Sequence, residues 1–350
     1  MAAKDNILES GVDMARHKSS PGGVTVFDVA KHADVSIATV SRALSGKRNM
    51  SEELRRRVLD SAEVLGYKVN LVGRALRQRK TSTLGLVIPD LENPFFSSLA
   101  QSISRSFSES EIDVFVASAD NDIEQEKRAI TSFLGRQVDA CVLIPSDEIA
   151  SLEAVSFAST YVTTIQFDRL VPSVAIPYVG CDNAAGMKLI CEHIDRTVDE
   201  SAQPVIFFGG GESSSSGRER SRAFLNLRPE VEHYEGRFSV DWGQTMAKQV
   251  LDSGRRRATI VAAADVIALG AISVILANGL RIPEDVRVIG FDDVGVSYLA
   301  HPTLTTVRQP MAEMTEAIRQ LVTGGYSASE TPPLRTLFEP TFVARESSPE

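Results

Sequence analysis

Apolar residues recur at helical spacing from the first folded stretch of the chain. Val26, Val29, Ala30 and Ala33 share one face. After a break at Asp34, Val40 and Leu44 turn inward on a second short segment. Ile37, Ala38, Thr39, Ser41 and Arg42 turn outward on it. Thr25 and Asp28 have the spacing of a capping box, and Ser36 is a natural N-cap. Asp34 tolerates the left-handed backbone of a tight turn better than most residues. The pattern predicts a helix-turn-helix whose second helix suits a major groove. Ser51 then caps a third helix that opens Glu52-Glu53 and carries the stripe Leu54, Val58, Ala62 and Leu65, with Gly66 ending it. Asn70 can cap a further basic helix from Leu71 to Gln78, too short to persist alone in water.

From Thr83 onward the period changes. Strand-like runs at 84–88, 112–117, 138–144, 161–166, 204–208, 258–263 and 286–291 alternate with helical patterns near 95–109, 122–134, 182–194, 217–227, 241–252 and 265–278. This is the signature of parallel α/β sheets with helices on both faces. The length suggests two such lobes, and a ligand between them would sit at the carboxyl ends of the strands.

Composition sharpens the division. With 350 residues and 43% hydrophobic content the chain can bury a sizeable core. Its net charge of −9 argues against nucleic acid until it is split. Residues 1–80 hold 15 Lys+Arg against 9 Asp+Glu, whereas the remainder holds 22 against 37. A basic head on an acidic body fits a polyanion-binding module carried by a domain that does not touch nucleic acid. Cys141, Cys181 and Cys191 lack paired spacing and read as reduced structural thiols. No run reaches membrane-spanning length, and the N-terminus has no hydrophobic signal region. The expectation is a cytoplasmic, nucleoid-associated protein with no membrane partner. Residues 1–22, ending Ser-Ser-Pro-Gly-Gly around position 20, read as a mobile extension.

On the second helix Arg42 is the one long donor and suits a bidentate contact to guanine, while Ile37 and Ala38 offer apolar contact such as to a thymine methyl. Thr25, Ser36, Thr39, Ser41 and Asn49 suit phosphates. Thr25 and Ser36 also serve as caps.

Residues 24–80 resemble the DNA-binding headpiece of the lactose/galactose repressor family of bacterial transcription regulators (LacI/GalR). The likeness continues through Leu-Gly-Leu-Val-Ile-Pro-Asp-Leu-Glu-Asn-Pro-Phe-Phe at 84–96, Pro-Glu-Asp-Val-Arg-Val-Ile-Gly-Phe-Asp-Asp at 283–293 and Leu-Thr-Thr-Val-Arg-Gln-Pro at 304–310. The resemblance implies an all-α headpiece at 23–69, a hinge helix at 70–80, and a two-lobed periplasmic-binding-protein-like body at 81–350. It puts one lobe at about 81–180 and 308–325, the other at about 181–306 and 326–345. In the hinge, Asn70 and Arg74 join the DNA-contacting residues, and Leu76 matches the leucine that wedges into the minor groove. Packing against the partner's hinge helix is the other role open to Leu76. Val69 stands where the family has Pro, and Gly73 where it has Ala.

Over the cleft, the resemblance tips Arg220 and Asp292 toward effector binding. Asp168, at a strand end, suits paired sugar hydroxyls, and Phe95 and Phe238 suit stacking on a sugar or base face. Asp168 and Asp293 are equally readable as caps, and the two phenylalanines as core. Ala264 replaces the family's usual asparagine, which removes one donor and one acceptor. No cofactor and no metal is called for. The implied function is a regulator, in the repressor mould, binding a near-palindromic double-stranded operator as a homodimer and answering to a sugar, sugar phosphate or nucleoside. No apolar heptad tail follows residues 342–346, so dimers are expected, not tetramers.

Two rival readings are weaker. Gly209 to Arg218 follows a strand like a phosphate cradle, yet its spacing fits neither dinucleotide nor P-loop patterns. The histidines show no zinc spacing and no nucleophile elbow occurs. An exported solute-binding protein would leave residues 24–80 unexplained. If Leu76 is the wedge, Leu76→Ala loses tight operator binding but keeps weak, salt-sensitive binding to random duplex. Unchanged operator affinity in a gel shift refutes the wedge.

Overall fold

The computed structural model describes residues 24–44, 50–67, 80–324 and 335–350. The expectations for the extension at 1–22, Asn49, Val69, and the hinge with Asn70, Gly73, Arg74 and Leu76 fall outside the described residues. The chain divides into two compact units at Arg77/Gln78.

The first unit contains three described helices, α1 (Val26–His32), α2 (Ile37–Leu44) and α3 (Glu52–Val64). Their small core joins Val29, Ala30, Ala33, Val40, Ala43, Val58 and Ala62. The capping box forms at α1, where the Asp28 carboxylate accepts from the Thr25 amide at 2.8 Å and hydroxyl at 2.7 Å. Asp34 makes the turn at φ 52°. Ser36 Oγ accepts from the Thr39 amide at 3.2 Å, and Ser51 Oγ from the Leu54 amide at 3.3 Å. Gly66, at φ 64°, carries the chain off α3 in a conformation that would strain a side chain.

The second unit is built on two parallel sheets. Its first sheet gathers β1 (Thr83–Ile88), β2 (Asp113–Ser118), β3 (Ala140–Leu143), β4 (Thr163–Phe167), β5 (Tyr178–Cys181) and β11 (Arg335–Phe338). Their order is β11-β5-β4-β3-β1-β2. The other sheet has β6 (Val205–Phe208), β7 (Glu232–Tyr234), β8 (Ala258–Ala262) and β9 (Val286–Ile289) in the order β7-β6-β8-β9. A short antiparallel pair, β10 (Thr306–Arg308) and β12 (Thr341–Val343), lies along the crossovers. Central strands are continuous apolar runs because helices cover both faces, and β1, β3, β6 and β8 are almost wholly buried.

The helices that bear on the site are α4 (Pro94–Phe107), α5 (Ile123–Gly135), α7 (Asn183–Thr197), α8 (Ser215–Leu227), α9 (Val240–Asp252) and α10 (Asp265–Ala277). Two further helices, α6 (Leu152–Tyr161) and α11 (Met311–Thr323), were not among the anticipated patterns. Neither were β5, β7 and β10 to β12, each of only three or four residues. One boundary is corrected. The segment 326–345 was assigned to the second lobe, but β11 runs parallel to β5, with Leu337 opposite Gly180, and so extends the first sheet. Only β12, beside β10, returns to the crossover. The edge of β5 was open for pairing, and alternation over four residues could not announce that.

The C-terminal residues lock onto the second sheet. Ser347 and Ser348 are fully buried, and the Val288 amide donates to the Ser347 carbonyl at 3.1 Å. His193 of α7 lies 2.9 Å from Ser348 Oγ through Nε2 and stacks on Phe342, with ring centroids 4.7 Å apart. Among the described residues its Nδ1 has no partner. Burial, with Arg196 and Arg287 adding to it, pushes the imidazole down from its ordinary 6.5 to about 4. A base depressed in the fold leaves stability intact above pH 6.5. Stability is then lost as pH falls toward 4, because the unfolded chain takes up a proton that the fold refuses. The thermal midpoint should therefore fall from pH 6.5 to 4.5 more steeply in the wild type than in His193→Gln, measured by circular dichroism at matched ionic strength.

Candidate effector cleft and nucleic-acid interface

Every element of the cleft lies at the carboxyl end of a strand or in the helix turn that follows. Asp90 and Asn93 follow β1, Ser146 and Asp147 follow β3, and Asp168 and Arg169 follow β4. From the other sheet come the 209–216 loop after β6, Phe238 after β7, Ala263 and Ala264 after β8, and Asp292 after β9. The sheets face each other through these ends, as open α/β sheets place their ligands.

Arg220 is the centre. It is 2% exposed on α8, and a guanidinium that deep requires full pairing. Its Nε donates to Asn183 Oδ1 at 2.9 Å, and its Nη1 to the Ala263 carbonyl at 2.7 Å and Asp292 Oδ1 at 3.1 Å. The guanidinium lies 3.8 Å over the Phe291 ring, a close cation–π contact. Asp292, at φ 123°, also accepts from Gln309 Nε2 at 2.7 Å. Burial raises the Asp292 carboxyl above the usual range, while Arg220 and Gln309 pull it back. Asp168, at φ 58°, is raised too, chiefly by burial, with Arg220 and Arg169 opposing.

The chamber bounded by Phe95, Phe96, Asp168, Arg169, Arg220, Phe238 and Asp292 brings together all five residues anticipated for the effector. It encloses about 10 Å³, room for one water. Phe95 is 3% exposed and packs edge-on against Phe96 at 5.2 Å, so it serves the core as well as the chamber wall. Phe238 is half-buried and lies 5.9 Å from the Arg220 guanidinium. An outer vestibule of about 540 Å³ opens beside this chamber, sharing Asn93, Phe96, Arg169 and Phe238.

Sequence reading overlooked Arg169, which lines both spaces and lies between Phe96 and Phe238, 5.2 Å and 5.7 Å from their rings. The signal was its position, a charge directly behind a strand end and beside a chosen aspartate. Asn183 and Gln309 were overlooked as well, and only the Arg220–Asp292 pair reveals their role. Asp293 faces elsewhere, held at 2.6 Å by both Arg308 and Arg345. Asp265 is a strut, accepting from Thr306 Oγ1 at 2.6 Å, the Ser297 hydroxyl and the Val294 amide. Burial, with Asp292 adding to it, pushes its carboxyl up. No side-chain amide stands at 264, and Arg220 bonds instead to the neighbouring carbonyl of Ala263.

The sheets are tied across the cleft mouth. Arg218 grips Glu148 through two bonds of 2.7 and 2.6 Å. The Glu148 amide donates to the Ser213 carbonyl at 2.8 Å, and the Leu170 amide to Ser215 Oγ at 2.7 Å. The glycine-rich loop is no phosphate cradle. The Gly211 amide is given to Glu235 Oε2 at 3.1 Å, and a Cβ at Gly209 would lie 2.2 Å from the same oxygen.

In the first unit, Ile37, Ala38 and Arg42 are exposed together along α2. Arg42 Nε reaches the Ala38 carbonyl at 3.2 Å. Ser36 is exposed and bonded to Thr39 Oγ1 at 2.9 Å, whereas Thr39 and Ser41 are half-buried and Thr25 is exposed in its box. Among the described residues no group of metal ligands occurs, and no helix is long and apolar enough to cross a membrane.

A helix-turn-helix head and a two-sheet α/β body with a ligand cleft define a ligand-binding transcription regulator. Known proteins agree. Residues 25–70 match the family described as bacterial regulatory proteins, lacI family, and 194–348 match a periplasmic binding protein-like domain. The chain belongs to the lacI family. It is 31% identical over 294 residues to the ribose operon repressor of Halalkalibacterium halodurans, covering 83% of this chain and 86% of that protein. It is 29% identical over 313 residues to catabolite control protein A of Priestia megaterium, covering 86% and 92%. Among solved structures it resembles the lac repressor dimer bound to operator and the anti-inducer ONPF, with TM-score 0.79 and 25% identity over 94% of this chain and all of that one. It also resembles a transcriptional regulator CelR–cellobiose complex, with TM-score 0.65 and 26% identity over 93% of this chain and all of that one. Such relatives are regulators of transcription, and so is this chain; it is not an enzyme.

Arg220→Met strands the Asp292 carboxylate and should cost about 3–5 kcal/mol of the body's stability. Adding Asp292→Asn removes the orphaned charge and should restore part of the loss. Urea unfolding of the full-length variants measures both.

Proposed function

We propose that the chain is a repressor that binds a near-palindromic operator as a homodimer and is released or retained by a small polar effector in the cleft. The observation that carries this reading is the α2 face, where exposed Ile37, Ala38 and Arg42 form the base-reading row. Thr25, Ser36, Thr39 and Ser41, with Asn49, take phosphates around it. Beyond the described residues, Asn70, Arg74 and Leu76 complete the DNA contact through the hinge. Two-fold operators match two-fold proteins, so each protomer reads one half-site. The ribose operon repressor and the lac repressor dimer on its operator support both the sign and the assembly by likeness. Its target being chromosomal, we place the protein on the nucleoid in the cytoplasm.

In the cleft, Arg220, Asp292 and Asp168 would exchange bonds among themselves for bonds to effector hydroxyls, with Phe95 and Phe238 against its apolar face. The 10 Å³ chamber admits a ring only if the sheets separate or its walls shift. Effector binding is thereby tied to the bonds between Glu148 and Arg218 and between Leu170 and Ser215. Coupling equals the effector's difference in affinity between the two arrangements, typically about 1–3 kcal/mol.

Selection of genomic fragments by the full-length protein should return a near-palindrome, with light scattering giving two protomers. Arg42→Ala should weaken that site by about 1–3 kcal/mol while binding to random duplex stays. A protein that prefers no fragment, or an Arg42→Ala protein that prefers the same one equally, overturns the reading.

A further inference from the structure

Three consecutive side chains near the start of α8 reach three different places. Arg218 pairs with Glu148 behind β3 of the first sheet, and Arg220 pairs with Asp292 behind β9 of the second. Glu219, half-buried between them, serves both sides. Its Oε1 accepts from Arg335 Nη2 at 3.0 Å, and its Oε2 accepts from Asn183 Nδ2 at 2.9 Å. Arg335 opens β11 on the edge of the first sheet, opposite Tyr178 of β5. Its guanidinium lies 5.6 Å from the centre of the Tyr178 ring, and the Tyr178 hydroxyl donates to the Asp168 carbonyl at 3.0 Å.

Asn183 stands where the chain passes from β5 into α7. Its side-chain amide has a donating end and an accepting end of nearly equal size, so packing alone does not choose between its two orientations. Turned the wrong way, it would set its own N–H against the Arg220 Nε–H, donor against donor. An ionised carboxylate can only accept. Glu219 therefore draws Nδ2 to itself and leaves Oδ1 for Arg220 Nε at 2.9 Å.

We infer that Glu219 is a positioning residue for Arg220: it orients the Asn183 amide, and Arg335 holds it in place from the first sheet. This rests on the reading of the cleft as the effector site. If β11 moves away from α8, Glu219 loses a charge-assisted bond and Asn183 loses its bias. Arg220 is then freer to bond an effector. The presentation of the buried guanidinium depends in this way on how the two sheets stand, which ties affinity to the lobe arrangement.

The test needs no effector. In isotope-labelled full-length protein the Arg220 Nε–H resonance, identified by its loss in Arg220→Lys, exchanges with solvent at a rate limited by its bond to Asn183. Glu219→Met keeps the length of the side chain and removes the acceptor, and should speed that exchange about tenfold. Glu219→Gln, whose carbonyl can still accept from Asn183, should recover most of the difference. Arg335→Met should raise the rate a few-fold, and its half-exposed site keeps the comparison alive where Glu219→Met does not fold. Arg228→Gln cuts the pairs with Asp195 and Glu200 at the far end of α8 and should leave the rate unchanged. An unchanged rate in Glu219→Met, or an equal rise in Arg228→Gln, overturns the positioning role. A rise in Glu219→Met without one in Arg335→Met overturns the link to the first sheet. Small molecules retained from a metabolite extract, measured by mass spectrometry, probe the reading beneath. Retention should change in Glu219→Met, and equal retention overturns the dependence of the site on it. No retention by the wild type overturns the effector-site reading, while the exchange rates still decide what orients Arg220.

Discussion

One buried cation organises the sensing body. Arg220 carries its charge into a region where an unpaired guanidinium would be intolerable, so three elements must come to it. Asn183 begins α7, Ala263 ends β8 and Asp292 follows β9. Phe291 supplies a π face from below. The network fixes the carboxyl ends of the second sheet and shapes the chamber floor at once. On the proposed function, these are the bonds that a polar ligand would exchange for its own.

On the proposed function, the cleft has two competing states. In the state seen, the Glu148–Arg218 pair and the short bonds to Ser213 and Ser215 hold the loops of the two sheets together. Arg218 and Glu148 are half-buried, so their attraction is screened less than that of a surface pair. A ligand entering the chamber must reorganise contacts on both sides of this seam. Packed interiors switch between discrete arrangements and do not stretch, which is how a small molecule can move whole lobes.

The head works by different physics. Its core is a handful of alanines and valines, with little apolar area to spare, so the caps at Thr25, Ser36 and Ser51 matter disproportionately. Ile37, Ala38 and Arg42 stay exposed along the outer row of α2. A basic head and an acidic body keep the two binding functions on separate surfaces of opposite field.

The local rules wrote much of this molecule plainly. Capping residues, the turn at Asp34, the apolar stripes of the head and the alternating strands and helices of the body depend on neighbours within a few positions, where spacing is informative. Arg220, Asp292, Asp168, Phe95 and Phe238 could be picked out because each stands at or near a strand end or in a recognisable family motif. Arg169 stands just behind a strand end beside Asp168 and was legible there too. Asn183 and Gln309 were not, since their roles exist only once 183, 220, 292 and 309 meet. The same holds for β11, whose place beside β5 is settled by an open edge more than 150 residues back in the chain. Periodicity fixes which face of an element is buried. Which element it is buried against, and which charges must then be paired, is decided only when distant segments compete for the same space.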